Sequence, residues 1–390
     1  MAQKINKQSF ANFIKSESLG GFVLIFCVIT SLIIANSFLA DDFKQLLATN
    51  LGINIFNLHL KYSLSQWIND GLMAVFFLLI GLEIKREVIE GELASFKKAL
   101  LPIMAALGGM FIPAFIYFLF NYGTPTAAGW GISMATDIAF AIAILGILGK
   151  KVPLSLKIFL TALAIVDDLG AILVIAFFYS QQIHYNYLLY ALGVFLLLLI
   201  FNRLGIKNVA FYILPGMLMW YFIHHSGIHA TIAGVLTAVT VPTNNTVQKS
   251  PLEKLEHAIT LPVNLLIMPI FALANTNITF TTNMFKAFTQ PLSLGIICGL
   301  IIGKPLGITL FSWLAVKFKL AQLPQNCNWQ QIIGVGILGG IGFTMSIFIA
   351  LLSLPNLESQ MLAKFSILTA SVLAGFFGYW VLNRNGKRII

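Results

Sequence analysis

The sequence predicts an all-α polytopic membrane protein with about twelve transmembrane helices. Of its 390 residues, 58% are hydrophobic and only 10% are charged, whereas a soluble domain carries roughly 25% charged residues. A helix needs about 20 residues to cross a hydrocarbon core of ~30 Å, and apolar segments near that length recur throughout the chain. They lie at about 17–40, 64–86, 99–120, 125–148, 154–179, 186–202, 209–224, 227–241, 255–275, 292–315, 330–353 and 360–383. We therefore expect residues 1–390 to form a single integral membrane domain.

The basic residues give an independent test of this segment count, because Lys and Arg accumulate on the cytoplasmic side of membrane proteins. If both termini are cytoplasmic, 19 of the 24 basic residues fall in cytoplasmic segments. The opposite side holds Lys44, Lys61 and Lys286, while Lys304 and Lys364 lie within apolar segments. The count favours twelve spans. The membrane topology also accounts for the net charge of +10, because most of the basic residues lie in the cytoplasmic segments. No nucleic-acid partner is therefore expected.

One connection between segments has a different pattern. Residues 51–62 (LGINIFNLHLKY) alternate apolar and polar side chains on either side of Asn57, which predicts a short β-hairpin on the external surface. The alternative is an irregular loop. Because exposed strand edges pair readily with other strands, we expect the hairpin to join two protomers in a homodimer.

An uncompensated charge inside an apolar segment is costly and marks a functional candidate, and four such residues stand out. Asp167 and Asp168 occur in TALAIVDDLGAILVIAFF. Asp167 is about 15 Å from the cytoplasmic Lys157 at ~1.5 Å rise per helical residue, which places the pair near the membrane midplane. Asp137, in SMATDIAFA, lies at a similar depth, and Lys304 occurs in CGLIIGKPLGI.

Adjacent aspartates are suited to holding either a cation or a proton. Consecutive helical residues point about 100° apart, so one can line a cavity while its neighbour meets Lys304 from another helix. At ~5 Å and an effective dielectric of ~20, two carboxylates repel by roughly 3 kcal/mol, and such a pair tends to retain a proton. Carboxylate oxygens also suit a hard cation such as Na⁺. Alternatively, the charges only fix helix packing, and Asp137 offsets the positive ends of interrupted helices.

Segments 4 and 11 are predicted to be discontinuous helices. GVGILGGIGFTMSIF (334–348) has five glycines from Gly334 to Gly342, and Gly129 and Gly131 precede Thr136 in segment 4. Interrupted helices are tolerated at membrane depth where they line a cavity. Segments 4 and 11 are the middle members of two triplets, segments 3–5 and 10–12, and the two triplets cross the membrane in opposite orientations. The sequence therefore predicts an inverted-topology repeat at about 99–180 and 292–383.

Several long motifs carry a family resemblance. They are ATDIAFA, LAIVDDLGAI, GIHATIAGV, GKPLGI and GGIGFTMSIFI, with WINDGLMAVFFLLIGLEIKRE (67–87) and LEHAITLPVNLLIMPIFALAN (255–275). Together they resemble the NhaA-type bacterial Na⁺/H⁺ antiporters over nearly the whole chain. Inverted repeats with discontinuous helices are a known property of that family.

The resemblance implies a secondary active antiporter, not an enzyme, in the bacterial inner membrane with both termini cytoplasmic. It would export Na⁺, and Li⁺ as well, in electrogenic exchange for H⁺, with a pH-regulated role in sodium and pH homeostasis. No cofactor is expected beyond the transported Na⁺ and H⁺. The three cysteines, Cys27, Cys298 and Cys327, lack metal-ligand spacing.

The resemblance also assigns roles within the membrane. Asp167 and Asp168 correspond to the cation and proton site, and Thr136 and Asp137 assist where the interrupted helices cross. Lys304 corresponds to the ion-pair partner of Asp167.

A second group of residues is linked by the resemblance to pH response. On the cytoplasmic side it consists of Glu83, Arg86, Glu256 and His257. His229 is also assigned to pH response, although it could equally be a histidine packed at a helix start. Thr260 stands where a second histidine often follows in the family, so we expect a shifted or blunted response.

Other membrane proteins with buried charges fit less well. An intramembrane aspartyl protease requires aspartates on neighbouring helices and a GxGD-like loop, which this sequence lacks. A cation channel is opposed by the buried Lys304. The main alternative is a proton-coupled symporter for an organic solute.

Overall fold

The computed structural model describes residues 7–55, 58–180, 182–243, 250–280 and 288–386, and most of them are helical. Short 3₁₀ turns occur at Glu92–Ala94, Ala127–Ser133 and Gly149–Lys151, and π-helical turns at Trp67–Leu72, Val263–Ile267 and Gly299–Gly303. A short helical turn, Leu64–Gln66, precedes the first π turn. The longer elements are, in chain order, α1 (Lys7–Ala35), α2 (Ala40–Ala48), β1 (Asn50–Ile55), β2 (Leu58–Ser63), α3 (Met73–Ile89), α4 (Phe96–Asn121), α5 (Ile138–Leu148), α6 (Leu154–Phe178), α7 (Tyr185–Arg203), α8 (Ala210–Ser226), α9 (Ile232–Thr240), α10 (Pro251–Pro262), α11 (Met268–Asn275), α12 (Pro291–Cys298), α13 (Lys304–Lys317), α14 (Trp329–Gly339), α15 (Phe343–Ser353) and α16 (Leu357–Asn385).

The helices confirm the predicted class of polytopic membrane protein. Among the described residues, 7 helical stretches are long and apolar enough to cross a membrane, or up to 9 if each of two bent pairs is one span. The three other predicted segments contain α3, α8 and α9, which are not among these stretches. The count of twelve spans stays a prediction.

The first bent pair differs from the predicted segment at 17–40. Helix α1 begins at Lys7 and ends at Ala35, and α2 follows after a bend of 111°. Helix α2 (ADDFKQLLA) was not predicted, because its charged residues hide it from a search for apolar runs. Asp41 and Asp42 in its first turn favour helix formation by offsetting the positive N-terminal end of the helix dipole.

The hairpin is present as the alternating pattern predicts. Strands β1 and β2 pair antiparallel, from Asn50 opposite Ser63 to Ile55 opposite Leu58, while residues 56–57 lie outside the described ranges. Gly52 has a φ of +126°, and a Cβ there would lie 1.8 Å from the Leu60 carbonyl oxygen. This position therefore requires glycine. The placement of the hairpin on the external side stays a prediction.

The chain divides into two compact units. The first comprises Met1–Val23, Gly91–Ala171 and Phe280–Ile390, and it contains most of both predicted repeats. Within it, α4 and α13 pack with their backbones in contact. A Cβ at Gly307 would lie 2.0 Å from the carbonyl oxygen of Gly108. This close packing holds the first residue of α13, Lys304, in a fixed position.

The second unit comprises Leu24–Glu90 and Ile172–Thr279. Its core contains Leu82, Tyr212 and Met219, all fully buried between helices α3, α8 and α9. Helix α9 lies close against α3, because a Cβ at Gly234 would be 2.2 Å from the Ala74 carbonyl oxygen.

Candidate functional site

An acidic and a basic side chain meet between α6 and α13 in the first unit. Lys304 Nζ lies 2.5 Å from Asp167 Oδ2, and both side chains are completely buried. Lys304 begins α13 directly after the π turn Gly299–Gly303, a local irregularity that often accompanies functional sites. The structure thus places Lys304 against Asp167 and not against Asp168.

Thr136 completes the surroundings of Asp167. Its hydroxyl oxygen lies 2.7 Å from Asp167 Oδ2 and 3.0 Å from the carbonyl oxygen of Gly339, the last residue of α14. A hydroxyl has one proton and so donates to one of these oxygens at a time. The other oxygen of Asp167, Oδ1, is buried without a hydrogen-bond partner among the described residues.

Asp168 has different surroundings from its neighbour. It is 1% exposed, and its Oδ1 atom has no hydrogen-bond partner within the part of the chain that the structure describes. Burying a carboxylate without partners is strongly unfavourable unless the group is protonated or meets a cation. Of the ionisable residues buried here, Asp168 is therefore best suited to bind one positive charge, a proton or a cation, in place of another.

Asp137 lies between two helix N-termini. It is the N-cap residue of α5, where Oδ1 accepts a hydrogen bond from the Phe140 amide at 3.2 Å. Its Oδ2 accepts from the Thr344 amide at 3.1 Å and from the Thr344 hydroxyl at 2.5 Å, in the first turn of α15. Negative charge at helix N-termini is stabilising. This geometry matches the alternative in which Asp137 offsets helix dipoles.

These four side chains, which we call the buried charge group, are Asp137, Asp167, Asp168 and Lys304. Asp168 interacts electrostatically with each of the other three. With all four ionised the group carries three negative charges and one positive charge, a net charge of −2. Such an imbalance at low dielectric favours uptake of cations or protons.

The predicted cytoplasmic group is partly assembled in the second unit. Arg86 Nη1 lies 2.8 Å from Glu256 Oε1, and Arg86 Nη2 lies 3.2 Å from Glu87 Oε1. Glu83 is buried and interacts electrostatically with Arg86. His257 is exposed beside Glu256.

The structure also shows what the Thr260 side chain contacts. Its hydroxyl donates to the Glu256 carbonyl oxygen at 2.6 Å, one helical turn earlier. The side chain is thus engaged with the backbone of its own helix.

His229 belongs to a different cluster. Its Nε2 atom lies 3.6 Å from Asp70 Oδ1, and His224 Nδ1 lies 4.0 Å from Asp70 Oδ2. The Nδ1 atom of His229 is 2.9 Å from the Thr231 hydroxyl, just before α9. Asp70 precedes Glu83 by thirteen residues, or about 20 Å of helix. His229 and the cytoplasmic group are thus at opposite ends of this part of the chain.

Sequence reasoning missed several of these partners. Thr344 follows the glycines of segment 11, but nothing in the sequence shows that it meets Asp137. Asp70 and His224 were also missed, because they lie in the separate predicted segments 64–86 and 209–224, and nothing in the sequence shows that they meet. Among the described residues, this cluster is not arranged to hold a metal ion.

Comparison with known proteins gives matches along nearly the whole chain. The family model described as Na⁺/H⁺ antiporter 1 matches residues 11–382. A similar protein from Flavobacterium johnsoniae, named Na⁺/H⁺ antiporter NhaA 2, is 61% identical over 388 residues, covering 99% of this chain and 95% of the relative. Na⁺/H⁺ antiporter NhaA from Flavobacterium psychrophilum is 52% identical over 373 residues, 96% of this chain and 95% of the relative. Na⁺/H⁺ antiporter NhaA 1 from Clostridium beijerinckii is 48% identical over 376 residues, 95% of this chain and 94% of the relative.

Proposed function

We propose, since the chain belongs to the Na⁺/H⁺ antiporter 1 family, that it exports Na⁺, and Li⁺ as well, in exchange for H⁺. The observation that carries this proposal is the state of Asp168, a fully buried carboxylate whose Oδ1 has no hydrogen-bond partner among the described residues. Such a group needs a positive charge beside it or a proton on it. Na⁺ and H⁺ meet this need in mutually exclusive ways.

Exchange then follows from competition at one carboxylate. When Asp168 binds Na⁺ it must release its proton, and when it takes up a proton it loses the charge that holds Na⁺. Either form compensates the charge of Asp168 in the membrane interior, whereas the empty ionised form leaves that charge uncompensated. The protein should therefore change its accessible side only when Asp168 is occupied, which couples the two fluxes.

A second proton would make the exchange electrogenic. Asp167 is held by Lys304 at 2.5 Å, and Na⁺ bound at Asp168 would repel any further positive charge in the buried charge group. Release of a second proton from this group would accompany Na⁺ binding. Two protons would then move for each Na⁺, and the cycle would carry net charge.

The decisive test is Asp168→Asn, which preserves side-chain volume but removes the charge. Na⁺-induced collapse of a preformed pH gradient in everted vesicles should disappear, while the protein still inserts and folds. Asp42→Asn is the matched control, because it makes the same chemical change at an exposed residue of α2 and should exchange normally. Normal rate and Na⁺ affinity in Asp168→Asn would contradict the mechanism.

We also propose twelve transmembrane helices in an inverted-topology repeat, with segments 4 and 11 discontinuous. Three features support this proposal. Helix α14 ends at Gly339 and α15 begins at Phe343, with a bend of 44° between them. A non-helical stretch precedes α5. Asp137 accepts hydrogen bonds from the N-termini of both α5 and α15. Alternating reactivity of single cysteines in successive loops toward a membrane-impermeant reagent would test the topology and the cytoplasmic location of both termini. Two consecutive loops labelled from the same side would contradict it.

The hairpin is proposed to join two protomers in a homodimer, by adding strands across a two-fold axis. Lys61, which is exposed on β2, is a suitable site for a single cysteine. Cross-linking there should trap dimers, and deleting residues 51–62 should abolish the dimer but preserve exchange, because the buried charge group lies within one chain. Absence of cross-links from every hairpin position would reject the dimer.

Regulation by pH is proposed for the cytoplasmic residues Glu83, Arg86, Glu256 and His257, and for His229. The support is that Arg86 and Glu256 form a partly buried ion pair beside a histidine, the side chain that titrates nearest neutral pH. An antiporter controlled in this way in a bacterial inner membrane would serve sodium and pH homeostasis. Growth of an antiporter-deficient bacterium on high Na⁺ at alkaline pH, with and without this chain, would test that role.

A further inference from the structure

The second unit contains a large apolar cavity that ion exchange does not use. Its volume is about 1230 Å³, above the ~300–1,000 Å³ of typical small-molecule pockets. Its walls come from α3 with the preceding π turn and from α7, α8 and α9, and Leu60 of β2 also borders it. Met217 and Leu218 line the cavity and are 64% and 48% exposed, so it opens at the protein surface.

The walls of the cavity are formed almost entirely by apolar atoms. Gly71, Gly216 and Gly234 all line the cavity. Hydrocarbon side chains such as Val75 and Ile213 line it as well, and almost none of the lining surface is polar. Such walls offer no partners to Na⁺, a sugar or an amino acid, and they favour a hydrocarbon ligand.

The rim of the cavity carries amphipathic aromatic residues. Trp67 lies near the start of its helix, Tyr187 in the first turn of α7, and Tyr221 in the last turns of α8. In the predicted span order, these three helix ends all face the external side. Trp and Tyr concentrate where the acyl chains meet the headgroups, which places the rim at the external interface.

The depth of the cavity corresponds to one leaflet. The lining extends along one helix from Trp67 to Leu78, eleven residues or roughly 17 Å of helix. Half of a ~30 Å hydrocarbon core is about 15 Å, close to this length. An acyl chain that enters at the rim would end near the bottom of the cavity.

We propose that this cavity is a binding site for an acyl chain of a phospholipid from the external leaflet, with the headgroup at the aromatic rim. The lipid packs against Val75 on α3 and Ile213 on α8, and it fills space that would otherwise be a void. Its binding does not depend on the buried charge group, which lies in the other unit.

Photochemical labelling in proteoliposomes tests this proposal. The full chain is reconstituted into vesicles of phosphatidylethanolamine and phosphatidylglycerol that contain phosphatidylethanolamine with a diazirine near the acyl terminus. After irradiation, mass spectrometry maps the labelled residues. Label should concentrate on residues 72–78 and 213–218, well above the level on other lipid-facing helices such as α16.

Two neighbouring substitutions provide a matched pair. Ile213→Trp fills the cavity, whereas Leu214→Trp adds the same side chain at a lipid-facing position, 66% exposed and outside the cavity lining. Ile213→Trp should lower labelling of residues 72–78 about tenfold, the effect of ~1.4 kcal/mol of lost binding free energy, and Leu214→Trp should leave it unchanged. Val75→Phe fills the cavity from α3 and should lower labelling of residues 213–218 if Ile213→Trp does not fold.

Other outcomes would overturn the proposal. Equal labelling of all lipid-facing helices would show ordinary boundary lipid only. Labelling by a free diazirine fatty acid, but not by the phospholipid, would exclude the phospholipid as the occupant. Cross-linking of a cysteine at Met217 to a second protomer, with no lipid label, would show that another copy of the chain fills the cavity.

Discussion

Breaking the Asp167–Lys304 pair from either side gives the sharpest test of the buried charge group. Lys304→Ala leaves Asp167 as a buried carboxylate whose Oδ2, among the residues that the structure describes, retains only the Thr136 hydroxyl as a donor. Asp167→Asn leaves Lys304 as a buried ammonium opposite a neutral amide. A third variant combines Asp167→Asn with Lys304→Met and removes both charges while roughly keeping the volume.

The expected magnitudes follow from the burial of both partners, which are 0% and 1% exposed. Removing one partner of a buried ion pair costs about 3–5 kcal/mol, whereas replacing both by neutral groups of similar size is often close to neutral. On the scale for domains of about 150–250 residues, each single substitution should lower the melting temperature by roughly 6–20 °C. The double variant should recover most of this loss, and Asp168→Asn should cost about 1 kcal/mol or less.

The two single variants should also depend on pH in opposite directions. Lys304→Ala should lose least stability at acidic pH, where the stranded Asp167 can take up a proton and become neutral. Asp167→Asn should lose least at alkaline pH, where the stranded Lys304 can release a proton. Melting curves of purified protein in detergent, recorded across pH, measure both trends.

Two results would refute this reasoning. If both single variants melted like the wild type at every pH, the pair would contribute nothing to stability. If the double variant were no more stable than either single variant, the loss would come from packing and not from unpaired charge.

Three further predictions concern neighbouring features. Thr344→Val removes the hydroxyl that donates to Asp137 Oδ2 at 2.5 Å and should destabilise the protein by about 1–3 kcal/mol. Thr344→Ser should restore stability in the same melting assay. Failure to do so would show that the methyl group, and not the hydroxyl, is responsible. Gly307→Ala places a Cβ 2.0 Å from a backbone oxygen and should reduce the yield of folded protein, whereas Gly193→Ala, where no atom lies within 4 Å of the added Cβ, should not. Glu256→Gln should move the pH profile of exchange to more acidic values with the maximal rate retained, because removing a carboxylate disfavours a positive charge beside it. Equal loss at all pH values would indicate a folding or permeation role.

The buried charges were predictable because a charge inside a membrane is costly and therefore rare. The few that occur in apolar segments are conspicuous in the sequence. Asp137, Asp167, Asp168 and Lys304 were all identified from their positions in apolar segments. The angle of about 100° between adjacent helical residues also indicated that only one aspartate could meet the lysine. Which aspartate does so depends on the rotation of α6 against α13, which residue spacing alone does not determine.

Other features could not be predicted because their cause lies in tertiary contacts. Helix α2 is too polar to stand out as an apolar segment. The close approach of Gly108 and Gly307 depends on two helices separated by almost two hundred residues in the chain. Likewise, the contact of Asp70 with His229 arises only when the π turn before α3 packs beside the start of α9. Periodicity reports on one element at a time, so such partners become visible only in the folded chain.

The position of Asp137 limits how the first unit can move. One of its oxygens is bound by the N-terminus of α5 and the other by the N-terminus of α15. Sliding one helix past the other would therefore break a charge-assisted hydrogen bond to a carboxylate that is 1% exposed, at a considerable energetic cost. We expect α5 and α15 to travel as one rigid pair through a transport cycle. The hinge that alternates access must then lie elsewhere in the protein, at contacts that can be broken at lower cost.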